Sequence, residues 1–100
     1  MIIAVDGDRI DVVEPANMQQ FHVSASAGSD VDAVLRSHAA GWVADDGDAR
    51  IDCSWLTAWF DTTHGAEGLR PGFASMLDYA VSKGWAPEDR STITAHIERG

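Results

Sequence analysis

Residues 70–98, RPGFASMLDYAVSKGWAPEDRSTITAHIE, decide the fold. Pro71 suits the first turn of a helix, where its missing N–H costs nothing. Phe73, Met76, Leu77, Ala80 and Val81 recur at i, i+3, i+4, i+7 and i+8, which is one apolar stripe of an amphipathic helix. Ser75, Asp78, Ser82 and Lys83 fall off that stripe. Gly84 is placed to take the left-handed cap, with Trp85 folding back on Ala80 in a Schellman closure. Ala86-Pro87-Glu88-Asp89 turns the chain. From Thr92 the period becomes two: Ile93, Ala95 and Ile97 face one way, Thr92, Thr94, His96 and Glu98 the other.

Working outward, the amino-terminal residues read as a hairpin. An Asp6-Gly7 loop would pair Val5 with Asp8 and Ile3 with Ile10, giving Ile3, Val5, Ile10 and Val12 a common face. Residues 19–26 alternate, with Phe21, Val23 and Ala25 inward. Ser29 resembles a helix cap, and Val31, Val34, Leu35, His38 and Ala39 form the stripe of the helix it opens, closed by Gly41. A second hairpin at Asp46-Gly47 would pair Val43 with Arg50 and Trp42 with Ile51, placing Trp42, Ala44, Ala49 and Ile51 on one face. Residues 54–60 are apolar on both faces as a strand. As a helix capped by Ser54 they gather Trp55, Leu56, Trp59 and Phe60 on one stripe, so a short helix is expected. Residues 61–69 read as a loop.

The resulting order, β-β-β-α-β-β-(α)-α-β, implies an α+β domain. Its sheet is expected to hold five or six mostly antiparallel strands, with two main helices on one face. One hundred residues make one domain. The two Asp-Gly ribbons resemble each other, and a duplication would divide the chain into halves near 1–41 and 42–100.

Sixteen acidic against seven basic residues give a formal charge of −9, which opposes binding to nucleic acid or an anionic membrane. A basic or anionic-ligand partner fits better. There is no apolar run of membrane-spanning length and no visible signal peptide, so a cytoplasmic setting is expected. Abundant Ala, Asp and Val beside a single Lys suggest a GC-rich bacterial source.

Candidate chemistry is sparse. His96 and Glu98 share a strand face, where a carboxylate can orient an imidazole as general base. His22 is a third candidate, although a solvated polar face accounts for all three. His38 reads as a rim histidine with one nitrogen on a carbonyl. His64 lies in a loop, and no histidine shows metal-ligand spacing. Neither a metal nor a cofactor is expected. Asp45, Asp46 and Asp48 lack the remaining ligands of a calcium loop. The 24–29 loop leads into a helix start, but Asp30 and Asp32 would repel a phosphate. Acidic neighbours should raise the thiol pKa of Cys53. Arg70 could meet a carboxylate, though nothing singles it out.

The four tryptophans are more informative. Trp42 and Trp85 are expected in the core. Trp55, Trp59 and Phe60 cluster in a short segment, as aromatics do at interfaces and ligand pockets. Two functions follow. One is a non-enzymatic interaction module, a homodimer or a binder of another protein through that aromatic segment. The other is a small cofactor-independent enzyme or ligand-binding domain, with Trp55 and Trp59 lining a pocket and His96 or His22 moving a proton.

Overall fold

The computed structural model describes residues 1–14, 17, 21–62 and 70–99, with Arg70 described by its backbone only. His64, the side chain of Arg70, most of the expected 61–69 loop and the expected strand positions 19 and 20 lie outside them.

The chain is an α+β domain. Its elements are β1 (Ile2–Asp6), β2 (Arg9–Val13), β3 (His22–Ala25), α1 (Val31–Ser37), β4 (Gly41–Val43), β5 (Ala49–Asp52), α2 (Cys53–Thr62), α3 (Arg70–Lys83) and β6 (Thr92–Arg99). The six strands form one sheet in the order β2-β1-β3-β6-β5-β4. Three pairings are antiparallel, while β3 runs parallel to both β1 and β6.

The two hairpins stand at opposite ends of the sheet, and β6 joins their halves. Its residues Thr92–Ala95 pair with β5, and His96–Arg99 pair with β3. Beyond the reach of β3, the carbonyl of Trp85 substitutes for a strand and accepts the Thr94 N–H at 2.8 Å.

Alternation places Ile3, Val5, Val12, Val23, Ala25, Ala49, Ile51, Ile93 and Ala95 inward, all buried. They share one core with Val31, Val34 and Leu35 of α1, Leu56 and Phe60 of α2, and Phe73, Leu77 and Ala80 of α3. Phe60 meets Phe73 edge to face at 5.3 Å.

The stop of α3 is a Schellman closure. The Trp85 N–H donates to Ala80 (2.8 Å) and the Gly84 N–H to Val81 (3.1 Å), with Gly84 at φ +79°. The same closure ends α1 two residues earlier than the expected Gly41. The Ala40 N–H donates to Leu35, the Ala39 N–H to Arg36, and Ala39 itself takes φ +56°.

Gly41 has another duty. At φ +149° it opens β4 so close to β5 that a Cβ would stand 1.9 Å from the Arg50 carbonyl oxygen. The caps of α1 and α2 are aspartates, not the expected serines. Asp30 accepts the Ala33 N–H at 3.1 Å, and Asp52 the Trp55 N–H at 3.0 Å. Ser29 instead turns inward, where its hydroxyl accepts the Gly7 N–H at 3.0 Å.

Both hairpin registers differ from expectation, with opposite consequences. In the first, Asp6 pairs with Arg9 and Val5 with Ile10. The loop is therefore Gly7-Asp8, glycine first at φ +62°, as in a II′ turn. That shift is two residues long and leaves every side chain on its expected face. In the second, the loop has three residues, Asp45-Asp46-Gly47, with Gly47 at φ +88° and the Ala44 N–H donating to Asp48. Val43 now pairs with Ala49 and Trp42 with Arg50. A one-residue slip reverses a strand's faces. Trp42 consequently lies on the outer face, 36% exposed, rather than in the core.

Candidate functional site

The outer face of the sheet collects the polar side of every strand. In register across it run Val13, Ile2, His22 and His96. His22 Nε2 is 3.5 Å from Glu98 Oε2, and His96 Nδ1 is 3.6 Å from Asp48 Oδ1. The fold thus brings together all three expected acid/base residues, with Asp48 as an unanticipated fourth. Both contacts are longer than an ordinary hydrogen bond. The His96 side chain is 72% exposed.

His38 stands apart, its Nε2 donating to the Asp8 carbonyl at 3.0 Å. Among the described residues no group of three or more His, Cys, Asp and Glu side chains is arranged to hold a metal ion. None of their helices is long and apolar enough to cross a membrane.

Beside the histidines on this face lies a second row, Trp42, Arg50 and Thr94. Arg50 Nη2 donates to Asp46 at 2.7 Å, and that bond holds the Asp46 carboxyl below its ordinary pKa. Arg50 Nη1 is buried and has no hydrogen-bond partner among the described residues. Arg50 lines a cleft of about 280 Å³ with Trp85, Pro87, Thr92 and Thr94.

Trp85 and Thr94 also wall a larger cleft of about 610 Å³, where Phe21, Met76, Tyr79 and Ile93 provide apolar surface. It opens where β6 has lost its β3 neighbour. Tyr79 and Trp85 meet edge to face at 5.7 Å, and Lys83 Nζ lies 5.5 Å from the tyrosine ring centre. Tyr79 is 55% and Trp85 49% exposed. Trp85 closes the α3 cap through its backbone, yet its indole is not in the core as expected.

The aromatic segment of α2 presents less surface than its composition suggests. Phe60 is wholly buried and forms the floor on which Trp59 packs at 5.6 Å, edge to face. Trp55 and Trp59 are half-buried against the core.

Below α2, a third cleft of about 410 Å³ is lined by Cys53, Thr57, Asp61, Leu77 and Arg90. Burial, then Asp52 and Asp89, push the Cys53 thiol up to about 11, so at neutral pH it is no nucleophile.

Arg50 and Tyr79 are the residues that pattern reading missed. Tyr79 carried a signal, because an aromatic beside Asp78 falls outside the apolar stripe of α3. Arg50 would have appeared beside Trp42 had the second loop been counted as three residues. Comparison with family models, with curated proteins and with solved structures finds no match.

Proposed function

We propose that this chain is a non-enzymatic binding module whose contact surface is the aromatic cleft between α3 and β6. The observation that carries this reading is the half-exposure of Tyr79 and Trp85 at the mouth of a cavity of about 610 Å³. That volume is in the range of small-molecule sites, apolar with a few polar groups. Leaving half of two large aromatic side chains in water forgoes roughly 2 kcal/mol of burial each, which an occupant would recover.

The histidine acid/base reading has less support, since neither His22 nor His96 lines any of the three clefts. Self-association is the variant in which a second copy is the occupant, and a charge of −9 on each chain opposes it.

A screen of small aromatic molecules by ¹H–¹⁵N NMR tests the proposal. Hits should shift Tyr79, Ile93, Thr94 and the Trp85 indole, and Trp85→Ala should lose them while remaining folded. Equal binding by Trp85→Ala would overturn it. Light scattering over a concentration series identifies a second copy as occupant if mass rises with concentration and Tyr79→Ala stays monomeric.

A further inference from the structure

We infer that the aromatic cleft takes a small organic acid, with its apolar body against Tyr79 and Trp85 and its carboxylate at Arg50. This rests on the aromatic cleft being the binding surface, and names what it binds.

The two clefts are neighbours that share Trp85 and Thr94 as common wall. One is mainly apolar. The other is smaller, and Arg50, Thr92 and Thr94 are among the residues that line it. A ligand spanning both needs an apolar body and a compact polar end.

The character of that end follows from Arg50. The side chain is only 25% exposed, and Asp46 satisfies Nη2 alone. Nη1 is shielded from water and has no acceptor among the described residues. A guanidinium is a planar array of donors with no acceptor, so what completes it is an oxygen, best a carboxylate. Asp46 at 2.7 Å and Asp48 beside His96 already place negative charge nearby. A monoanion is tolerable there, whereas a phosphate dianion would be repelled more strongly.

Nη1 is covered as the side chains stand, so the carboxylate reaches it through a local movement of the cleft wall. Trp85 is half exposed and common to both clefts, so it is placed to report such a movement. Binding is therefore expected to alter its fluorescence.

The test uses phenylacetate, 3-phenylpropionate and 4-phenylbutyrate with their primary amides, titrated against the full chain by NMR and tryptophan fluorescence. The best-fitting acid should bind at least tenfold tighter than its amide, shifting Thr92, Thr94 and the Trp85 indole. In Arg50→Met, which keeps the apolar stem, acid and amide should bind alike. Arg50→Lys, which keeps the charge without the fork, should fall between and serves if the methionine variant does not fold. Equal binding of acid and amide by the unmodified chain would overturn the inference and leave the aromatic cleft standing. An acid preference unchanged in both Arg50 variants would also overturn it. Failure of every acid and every amide to bind would remove the binding reading of the cleft as well.

Discussion

Ala39 occupies a left-handed position, φ +56°, at the end of α1, where most chains place glycine. The Cβ costs about 1 kcal/mol there, so Ala39→Gly should stabilise the domain by about that much in urea unfolding. Two residues on, the sign reverses. Gly41→Ala would drive a Cβ into the Arg50 carbonyl and should cost about 3 kcal/mol or more. Gly47→Ala is the control: its φ is also positive, but beyond its chain neighbours no described residue lies within 4 Å of the added Cβ, and about 1–2 kcal/mol is expected. The neighbouring backbone oxygen, not the dihedral alone, separates these glycines.

Among the elements, α2 shows what a cap decides. Asp52 is both the last residue of β5 and the acceptor of the Trp55 N–H, so the helix starts with no intervening loop. Asp52→Ala should cost about 1 kcal/mol in thermal or urea unfolding, while Ser54→Ala stays within about 0.5 kcal/mol. Which residue caps was not legible, because Asp52 and Ser54 are equally good on composition and only the start of the helix distinguishes them.

The helix stripes were legible, since a period of 3.6 leaves little choice once Phe73, Met76, Leu77 and Ala80 are aligned. The inward face of β6 was legible for the same reason. Hairpin register was not: an Asp-Gly pair marks a turn without fixing whether the loop has two residues or three. At Gly7 the error spanned two residues and was harmless. At Gly47 it spanned one and hid the Trp42–Arg50 row, with half of the candidate site. The parallel placement of β3 between β1 and β6 depends on partners distant in sequence, which local pattern does not encode. The edges are closed by carboxylates, another feature that appears only in three dimensions. Asp32 accepts the Val43 N–H at 2.8 Å on β4, and Asp11 the Val12 N–H at 2.8 Å on β2. Those groups are no longer free to recruit another strand.

For the molecule as a whole, acid sets two effects against each other. The carboxyls of Asp32, Asp46 and Asp89 are held below their ordinary pKa, chiefly by the Val43 N–H, the Arg50 guanidinium and the Ser91 N–H respectively. Groups depressed by folding contribute stability that is present above the unfolded carboxylate value, about 3.9, and lost as pH falls through the folded value. Protonation of other carboxylates meanwhile relieves the repulsion of a chain at −9. Urea midpoints should therefore hold or rise from pH 7 to about 5 and drop below about 4. A steady fall from pH 7 would contradict this assignment.

Only β6 hydrogen-bonds the two halves of the sheet together among the described residues, and it follows every other element in sequence. During synthesis, then, both ribbons and β3 precede the strand that links them, and without it β3 and β5 each keep one unpaired border. A released chain ending at Ser91 should be protease-sensitive, and supplying residues 92–99 as a peptide in trans should restore resistance. The domain closes like a clasp, last piece in.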